Sequence, residues 1–223
     1  MTDRRRAAAH VFVDDLENPT LAPDDAHHLS RVLRLRAGER VTASDGNGRF
    51  RACFFDGDGL VVDGGIESET SSPDVTVLFA LSKGDKPETA VQKLTELGVS
   101  RIVPFVAERS VVKWDDTKSQ RNVDRLRKVA REAAMQSRHV RLPRIDEVQT
   151  SLAAAAALVG EVAVAEPGGT PIDASVAAVA VGPEGGFTSA ELAGRRTVAL
   201  PGGILRAETA AVVAGALLVD RHR

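Results

Sequence analysis

The chain has 223 residues, of which 43% are hydrophobic and 27% charged, and its formal net charge at pH 7 is −2. This composition is typical of a globular protein and excludes a low-complexity chain. The lone cysteine, Cys53, excludes an internal disulfide, and the longest apolar runs, 152–159 and 210–219, are too short to span a membrane. We therefore expect a soluble, cytoplasmic protein with no membrane segment.

The first seventy residues are predicted to form short strands joined by turns. The predicted strands are HVFV, RVTAS, RFRACFF and LVVDGGI, and DGNG at 45–48 predicts a hairpin between the second and the third. Between the first two strands, apolar residues at helical spacing from Ala26 to Leu33 predict one helix that ends at Gly38. The pattern indicates a small β-barrel with one helix, followed by a linker at 68–74.

After the linker, strands alternate with helices. The predicted strands are VTVLFAL, RIVPFV, EVAVA, VAAVAV and VAL. The predicted helices are KPETAVQKLTELG, which Gly98 closes, a long helix over 119–137, a helix opened by the capping box TSAE at 188–191, and a last apolar helix to about Val219. This alternation predicts an α/β domain whose mostly parallel sheet is covered on both faces.

Positive charge is concentrated in the middle of the chain. Residues 83–144 contain 15 Lys and Arg against 8 Asp and Glu. On the long predicted helix, Arg121, Arg125 and Lys128 lie opposite the apolar face. Such a surplus can attract a polyanion, although a solvated helix face is the simpler explanation. Because only 4% of the residues are aromatic, we expect any contact with RNA to involve mainly the RNA backbone and the shape of the RNA rather than base stacking.

Two glycine-rich turns are the main candidates for a ligand site, because the sequence contains none of the usual catalytic or metal-binding motifs. GPEGG at 182–186 and PGG at 201–203 each follow a predicted strand and precede a predicted helix. In an open α/β sheet such loops form the ligand crevice, and glycine lets the backbone approach a ligand closely. Backbone amides without a lysine suit a neutral or cationic ligand with an adenine better than a triphosphate. Two ordinary tight turns are the alternative explanation.

Six sequence blocks carry a resemblance over nearly the whole chain: HHLSRVLRLRAGERV, DGNGR, LSKGDKPETAVQKLTELGVSRIVPFVAERSVVKW, REAAMQSR, VGPEGGFTSAEL and ILRAETAA. In this order they resemble the RsmE family of ribosomal RNA methyltransferases, which belongs to the SPOUT superfamily. The resemblance implies a PUA-like RNA-binding β-barrel over 1–70 and an α/β SPOUT methyltransferase domain with a trefoil knot over 75–223. The implied activity is S-adenosylmethionine-dependent methylation of N3 of a uridine in bacterial small-subunit (16S) ribosomal RNA by a homodimer, without a metal.

The resemblance also implies site residues. We hypothesise that the target uridine is extruded, that Arg206 steers the uracil or a neighbouring phosphate, and that Glu208 or Glu184 accepts the N3 proton directly or through water. The structural alternatives are helix N-terminal charge complementarity for Glu184 and a salt bridge for Glu208. The implied S-adenosylmethionine site comprises Leu81, Gly182, Pro183, Glu184, Gly185, Gly186, Leu200, Pro201, Gly202, Gly203, Ile204, Leu205 and Arg206. The residues predicted to bind RNA are Arg31, Arg34, Lys83, Lys86, Lys93, Arg109, Lys113, Gln136 and Arg138.

The chain departs from the family pattern in two blocks. Pro201–Gly203 stands where the family usually has Gly-Pro-Arg, Ala207 replaces a common Thr, and Met135 replaces an acid. Three alternative functions stay open: a SPOUT enzyme for another RNA nucleotide or transfer RNA, an inactive RNA-binding module of the same fold, and a small-molecule enzyme with an adenine cofactor. The last would leave the basic segment unexplained.

Overall fold

The computed structural model of the protein describes residues 6–69, 73–112 and 114–222. The chain divides into two compact units, one formed by Met1–Ser71 with Arg131–Leu142 and the other by Ser72–Ala130 with Pro143–Arg223. The domain boundaries 1–70 and 75–223 stay a prediction. Within the described ranges, no helix is both long and apolar enough to cross a membrane.

The first unit contains a four-stranded sheet in the order β1-β2-β3-β4. Its strands are β1 (Ala9–Phe12), β2 (Arg40–Ser44), β3 (Arg49–Phe55) and β4 (Leu60–Ser68), and all four correspond to predicted strands. β1 pairs with β2 in parallel, whereas β2 with β3 and β3 with β4 are antiparallel. The predicted hairpin turn is present between β2 and β3, where Oδ1 of Asp45 accepts hydrogen bonds from the backbone N–H groups of Asn47 and Arg49. The predicted linker lies partly outside the described residues.

The helix of the first unit is shorter than predicted. α1 (Pro23–His27) continues directly into a π-helix (His28–Val32), and the predicted extension to Gly38 is wrong. The N–H of Leu33 donates to the carbonyl of His28, five residues back, which widens the turn and breaks the 3.6-residue period. Arg34 then adopts a φ of 55°, which ends the helix. Leu29 is buried, as expected for an apolar face, but Val32 is 60% exposed.

The second unit contains a six-stranded, entirely parallel sheet in the order β10-β8-β9-β5-β6-β7. The predicted parallel α/β fold is therefore confirmed. The sequence did not predict the short β7 or α4. The strands are β5 (Thr76–Ala80), β6 (Arg101–Phe105), β7 (Arg144–Ile145), β8 (Ala163–Pro171), β9 (Ala178–Val181) and β10 (Thr197–Ala199), and the helices are α2 (Lys86–Leu97), α3 (Asp116–Ser137), α4 (Leu152–Val159), α5 (Ser189–Leu192) and α6 (Ala207–Arg221).

Both faces of the parallel sheet are covered, as the alternating pattern predicts. Along β5, Val77 and Phe79 pack into a core shared with α2, α3 and α6. Leu78 and Ala80 point the other way, into a second core that includes α4 and Phe187. Because successive strand residues face opposite sides, one buried strand supplies both cores. The sheet thus forms a rigid support for the loops at its edges.

Candidate active site

The predicted cofactor residues lie at one edge of the parallel sheet. Leu81 follows β5, Gly182 follows β9 and Leu200 follows β10, and the carboxyl ends of parallel strands share an edge. β5 and β9 are neighbours, whereas β8 separates β9 from β10. Leu81 is 0% exposed as a whole residue, and its N–H donates to the carbonyl of Phe105 at 2.8 Å, so this predicted site residue is buried at the end of β5.

The loop after β9, residues 182–187, is ordered by contacts of its own. The N–H of Gly186 donates to the carbonyl of Pro183 at 2.9 Å, and Gly186 has a φ of 67° that favours glycine. A Cβ on Gly182 would lie 2.9 Å from Cε2 of Phe187. Glycine at 182 therefore makes room for a buried ring of the same loop. After the loop, the predicted capping box opens α5, with Thr188 as N-cap and Glu191 as its partner.

Three ionised side chains meet beside this loop. Lys86, the first residue of α2, is ion-paired and hydrogen-bonded to Oε1 of Glu184. Its Nζ also lies 3.9 Å from Oε2 of Glu208, which is in the first turn of α6. The structure thus brings together both acids that the sequence proposes as proton acceptors, and adds a lysine that the sequence assigned to RNA.

The lysine affects the two acids differently. Its hydrogen bond with Glu184 lowers the pKa of that carboxyl, and in return the pKa of Lys86 is raised. Within the described part of the chain, the buried Oε2 atom of Glu208 has no hydrogen-bond partner. A buried carboxylate oxygen without a partner is costly, and such atoms are candidates for contact with a ligand. Of the two acids, Glu208 is therefore the one with a carboxylate oxygen that makes no hydrogen bond within the described residues.

The loop after β10 leads into α6 and is open to solvent. Residues 201–204 are exposed, and Ile204 is 98% exposed. Arg206 is the N-cap residue of α6 and its side chain is exposed. Arg206 lies close enough to Lys86 to oppose the rise in the pKa of that lysine. The predicted steering residue therefore belongs to the same charged cluster as Glu184 and Glu208.

Two of the residues predicted to bind RNA, Arg31 and Arg34, are exposed at the end of the π-helix. Among the described non-glycine residues, only Arg34 and Arg138 have a positive φ, of 55° and 62°. π-helical turns and such backbone conformations are frequent at functional sites. Nη2 of Arg138 donates to the carbonyl of Ala8, and burial lowers the pKa of this guanidinium. Gln136 is exposed.

The basic residues of the second unit have varied surroundings. Lys83 is exposed, whereas Lys93 donates to both carboxylate oxygens of Glu96. Nη1 of Arg109 donates to the carbonyl oxygens of Gly185 and Phe187, in the loop after β9. Lys113 lies outside the described residues.

Part of the basic surplus stabilises the first unit. Arg131 binds Asp25 through two hydrogen bonds of 2.6 and 3.0 Å, and Asp25 is buried. Arg141 donates to the carbonyl of Asn47 at 2.7 Å. These arginines satisfy buried or main-chain acceptors, which the sequence pattern alone could not distinguish from charges that face a polyanion.

The structure also contains a cavity of about 300 Å³ next to α4 and α5, away from the loop after β10. It is lined by residues 106–108, 150–153, 190–191, 193 and 195. Nowhere in the described ranges do three or more His, Cys, Asp or Glu side chains form a group that could hold a metal ion.

Comparison with known proteins identifies the family. Residues 69–219 match a family model described as an RNA methyltransferase domain, and residues 21–63 match one described as an RNA methyltransferase PUA domain. Over 86% of its length, the chain is 32% identical to the ribosomal RNA small subunit methyltransferase E of Mycobacterium bovis, of which it covers 82%. The chain belongs to the RsmE family of RNA methyltransferases. The resemblance seen in the six sequence blocks is thereby confirmed.

Solved structures agree with an RsmE fold. A methyltransferase from Legionella pneumophila, solved in complex with the bound cofactor SAM, superposes on this chain with a TM-score of 0.80 at 25% sequence identity. The match covers 94% of this chain and 96% of the Legionella chain. The ribosomal RNA small subunit methyltransferase E from Neisseria gonorrhoeae, bound to S-adenosyl methionine, has a TM-score of 0.75 at 23% sequence identity. That match covers 93% of this chain and 95% of the Neisseria chain. The second likeness supports the fold alone.

Proposed function

We propose that the protein transfers a methyl group from S-adenosylmethionine to N3 of a uridine in 16S ribosomal RNA. The observation that carries the proposal is the buried Oε2 atom of Glu208, which has no hydrogen-bond partner in the described chain and lies 3.9 Å from Nζ of Lys86, beside the loop after β9. Membership of the RsmE family supports the reaction class, and the Legionella structure with bound SAM supports the choice of donor.

The residues at this edge fit S-adenosylmethionine. The main chain of 182–186 and 200–206 would hold its adenosine and methionyl parts, and the buried Leu81 would support the site from the end of β5. The carboxylate of Glu208 suits the positive charge of a sulfonium or an α-ammonium group, whereas that of Glu184 is paired with Lys86. Bound S-adenosylmethionine supplies an electrophilic methyl group, whose carbon–sulfur bond breaks as the bond to N3 forms.

The side chains of the charged cluster would orient the acceptor and remove its proton. Arg206 is exposed and would steer the uracil or a neighbouring phosphate into line with the methyl group. The N3 proton would pass to the carboxylate of Glu208, whose Oε2 has no hydrogen-bond partner in the described chain. The hydrogen bond with Lys86 lowers the pKa of Glu184, which makes this carboxylate a poorer proton acceptor than an ordinary glutamate.

RNA capture would involve the exposed Arg31 and Arg34 of the first unit, with Lys83, Gln136 and Arg138. The proposal includes a homodimer and a cytoplasmic location, as the family resemblance implies. It also includes the trefoil knot that the family resemblance implies.

The direct test is labelled methyl transfer to small ribosomal subunits from a strain that lacks this methyltransferase. The product is digested with nucleases and the modified nucleotide is mapped by mass spectrometry. We expect one methyl group on N3 of a single 16S uridine. A methyl group on another nucleotide or on transfer RNA would replace the proposed substrate, and RNA binding without transfer would identify an inactive binding module.

A further inference from the structure

A short turn after β6 contacts the glycine-rich loop after β9. This turn, residues 107–110, is closed by two hydrogen bonds: the N–H of Ser110 donates to the carbonyl of Ala107, and the N–H of Ala107 donates to Oγ of Ser110, both at 3.0 Å. Ala107 and Ser110 are buried, whereas Glu108 and Arg109 between them are exposed. We call residues 107–110 the brace turn, because both exposed residues reach toward the loop and the helix after it.

Arg109 and Glu108 hold two successive parts of the chain. Nη1 of Arg109 lies 2.9 Å from the carbonyl oxygen of Gly185 and 3.2 Å from that of Phe187. The N–H of Glu108 donates at 3.1 Å to Oε1 of Glu191, which also closes the capping box of α5. The brace turn therefore fixes both the glycine-rich loop and the start of α5.

Ring packing in the interior of the second unit also connects the end of β6 with the glycine-rich loop. The rings of Phe105, at the end of β6, and Phe187 are parallel, with an interplanar angle of 2° and centroids 6.3 Å apart. β5 lies between β6 and β9, so the brace turn reaches the loop across the end of β5. A contact across an intervening strand restricts the loop more than contacts within the loop alone can.

Lys86 holds the loop through a different atom. Its ammonium group pairs with the carboxylate of Glu184, whereas Arg109 engages main-chain carbonyls. Two cations from separate elements, α2 and the brace turn, thus bind the same loop. Because the Lys86 ammonium and the Arg109 Nη1 atom already have acceptors in the loop, each side chain has fewer donors left for a phosphate.

We propose that Lys86 and Arg109 are positioning residues that hold the loop at 182–187 in its ligand-binding shape, in place of the RNA-binding role that the sequence pattern assigns to them. The inference rests on the proposed function, because the ligand is S-adenosylmethionine. A loop that is ordered before binding loses less conformational entropy when the ligand arrives, so its affinity is higher. Both cations therefore act on the cofactor through the loop.

The test measures S-adenosylmethionine affinity by calorimetry on the full chain without RNA. We expect Lys86→Gln and Arg109→Met each to weaken binding on the order of tenfold, as expected for loss of a charge-assisted hydrogen bond. Arg109→Lys should keep most of the affinity, because one nitrogen makes both bonds and a lysine nitrogen can replace it. The matched controls, Lys128→Gln and Arg121→Met, change exposed cations of α3 and should bind like the parent protein.

A double-mutant cycle tests whether Lys86 acts through Glu184. If it does, Glu184→Gln and the double variant Lys86→Gln/Glu184→Gln should both match Lys86→Gln within about twofold, because the interaction is already lost. Independent, additive losses would overturn the proposed route. Thermal unfolding of each variant identifies any that fail to fold, and Arg109→Lys then keeps the Arg109 part testable.

Three further results separate the possibilities. Unchanged S-adenosylmethionine affinity with weakened RNA binding would overturn the inference and restore an RNA role for both residues. Failure of the parent protein to bind S-adenosylmethionine would contradict the proposed function instead. In that case hydrogen exchange still tests the brace: faster exchange confined to 182–187 in Arg109→Met supports it, and unchanged exchange overturns it.

Discussion

The two glycine-rich loops of the second unit follow β9 and β10, which end at the same edge of the sheet with β8 between them. They differ in how many contacts hold them. The loop after β9 has its carbonyls bound by Arg109, its acid bound by Lys86 and its Phe187 ring buried. In contrast, residues 201–205 make no hydrogen bond to the rest of the described chain, and 201–204 are exposed.

This difference indicates that glycine has two separate roles at this edge of the sheet. In the first loop, Gly182 accommodates a ring of the same loop, so its shape is fixed internally. In the second loop, a Cβ on Gly203 would meet no atom within 4 Å. We infer that the first loop is a preformed wall of the site and that the second becomes ordered when S-adenosylmethionine binds.

The largest expected effect is at the end of the open loop. Arg206 is exposed and would act on the RNA substrate, so Arg206→Ala should reduce methyl incorporation by about 100- to 1000-fold. Because the side chain is assigned to the substrate, S-adenosylmethionine affinity should change less than about twofold. Filter-binding of labelled methyl groups measures the first quantity and calorimetry the second. Activity equal to that of the control Arg121→Ala would remove this role.

A second substitution pair separates the two acids of the cluster. Glu208→Gln removes the proposed proton acceptor and should lower kcat by about 100-fold. Glu184→Gln changes an acid already paired with Lys86, so it should act mainly on the KM for S-adenosylmethionine. Steady-state kinetics on small subunits measures both effects. The reverse pattern, with kcat lost in Glu184→Gln only, would exchange the two assignments.

Two glycine substitutions compare the stability of the loops themselves. Gly182→Ala places a Cβ 2.9 Å from the Phe187 ring, and overpacking of this kind lowers the free energy of unfolding by about 1–3 kcal/mol. Gly203→Ala meets open space and should change it by less than about 0.5 kcal/mol. Urea denaturation gives both values. Equal destabilisation by the two variants would mean that the loops do not differ as described.

The smallest effect concerns pH and the Lys86–Glu184 pair. The pKa of Glu184 in the folded protein is lowered from 4.5. The stabilisation that this carboxylate contributes to the fold is therefore fully present above pH 4.5 and is lost as the pH falls through its lower pKa in the folded protein. The pKa of Lys86 is raised from 10.5, so its share is present below that pH and is lost as pH rises through the higher folded value. The difference in urea midpoint between the parent and Lys86→Gln should therefore be flat between these limits and shrink outside them. A difference that varies across neutral pH would point to another titrating group.

Local sequence signals predicted much of the fold. The turn chemistry of Asp45 to Gly48, the left-handed Gly98 that ends α2 and the capping box at Thr188 each depend on a few adjacent residues. One prediction failed within a single element. The helix of the first unit ends at Val32 because a π-turn breaks the period, which no composition signal announces.

The sequence predicted where the two glycine-rich loops lie, whereas the site residues stay a prediction. The glycine-rich loops do follow β9 and β10, since strand ends and glycines are visible in the sequence. The pairing of Lys86 with Glu184 joins residues 98 positions apart, so it depends on which strands are neighbours. Charge counting therefore assigned Lys86 and Arg109 to RNA, whereas in the fold both contact the loop.

Hydrogen exchange of the two loops with and without S-adenosylmethionine tests whether the loop at 182–187 is preformed and the loop at 201–205 becomes ordered on binding. We expect 182–187 to be protected in the free protein and to change little, and 201–205 to exchange rapidly until S-adenosylmethionine slows it. Equal, rapid exchange of both loops in the free protein, or no slowing of 201–205 by saturating S-adenosylmethionine, would contradict the account.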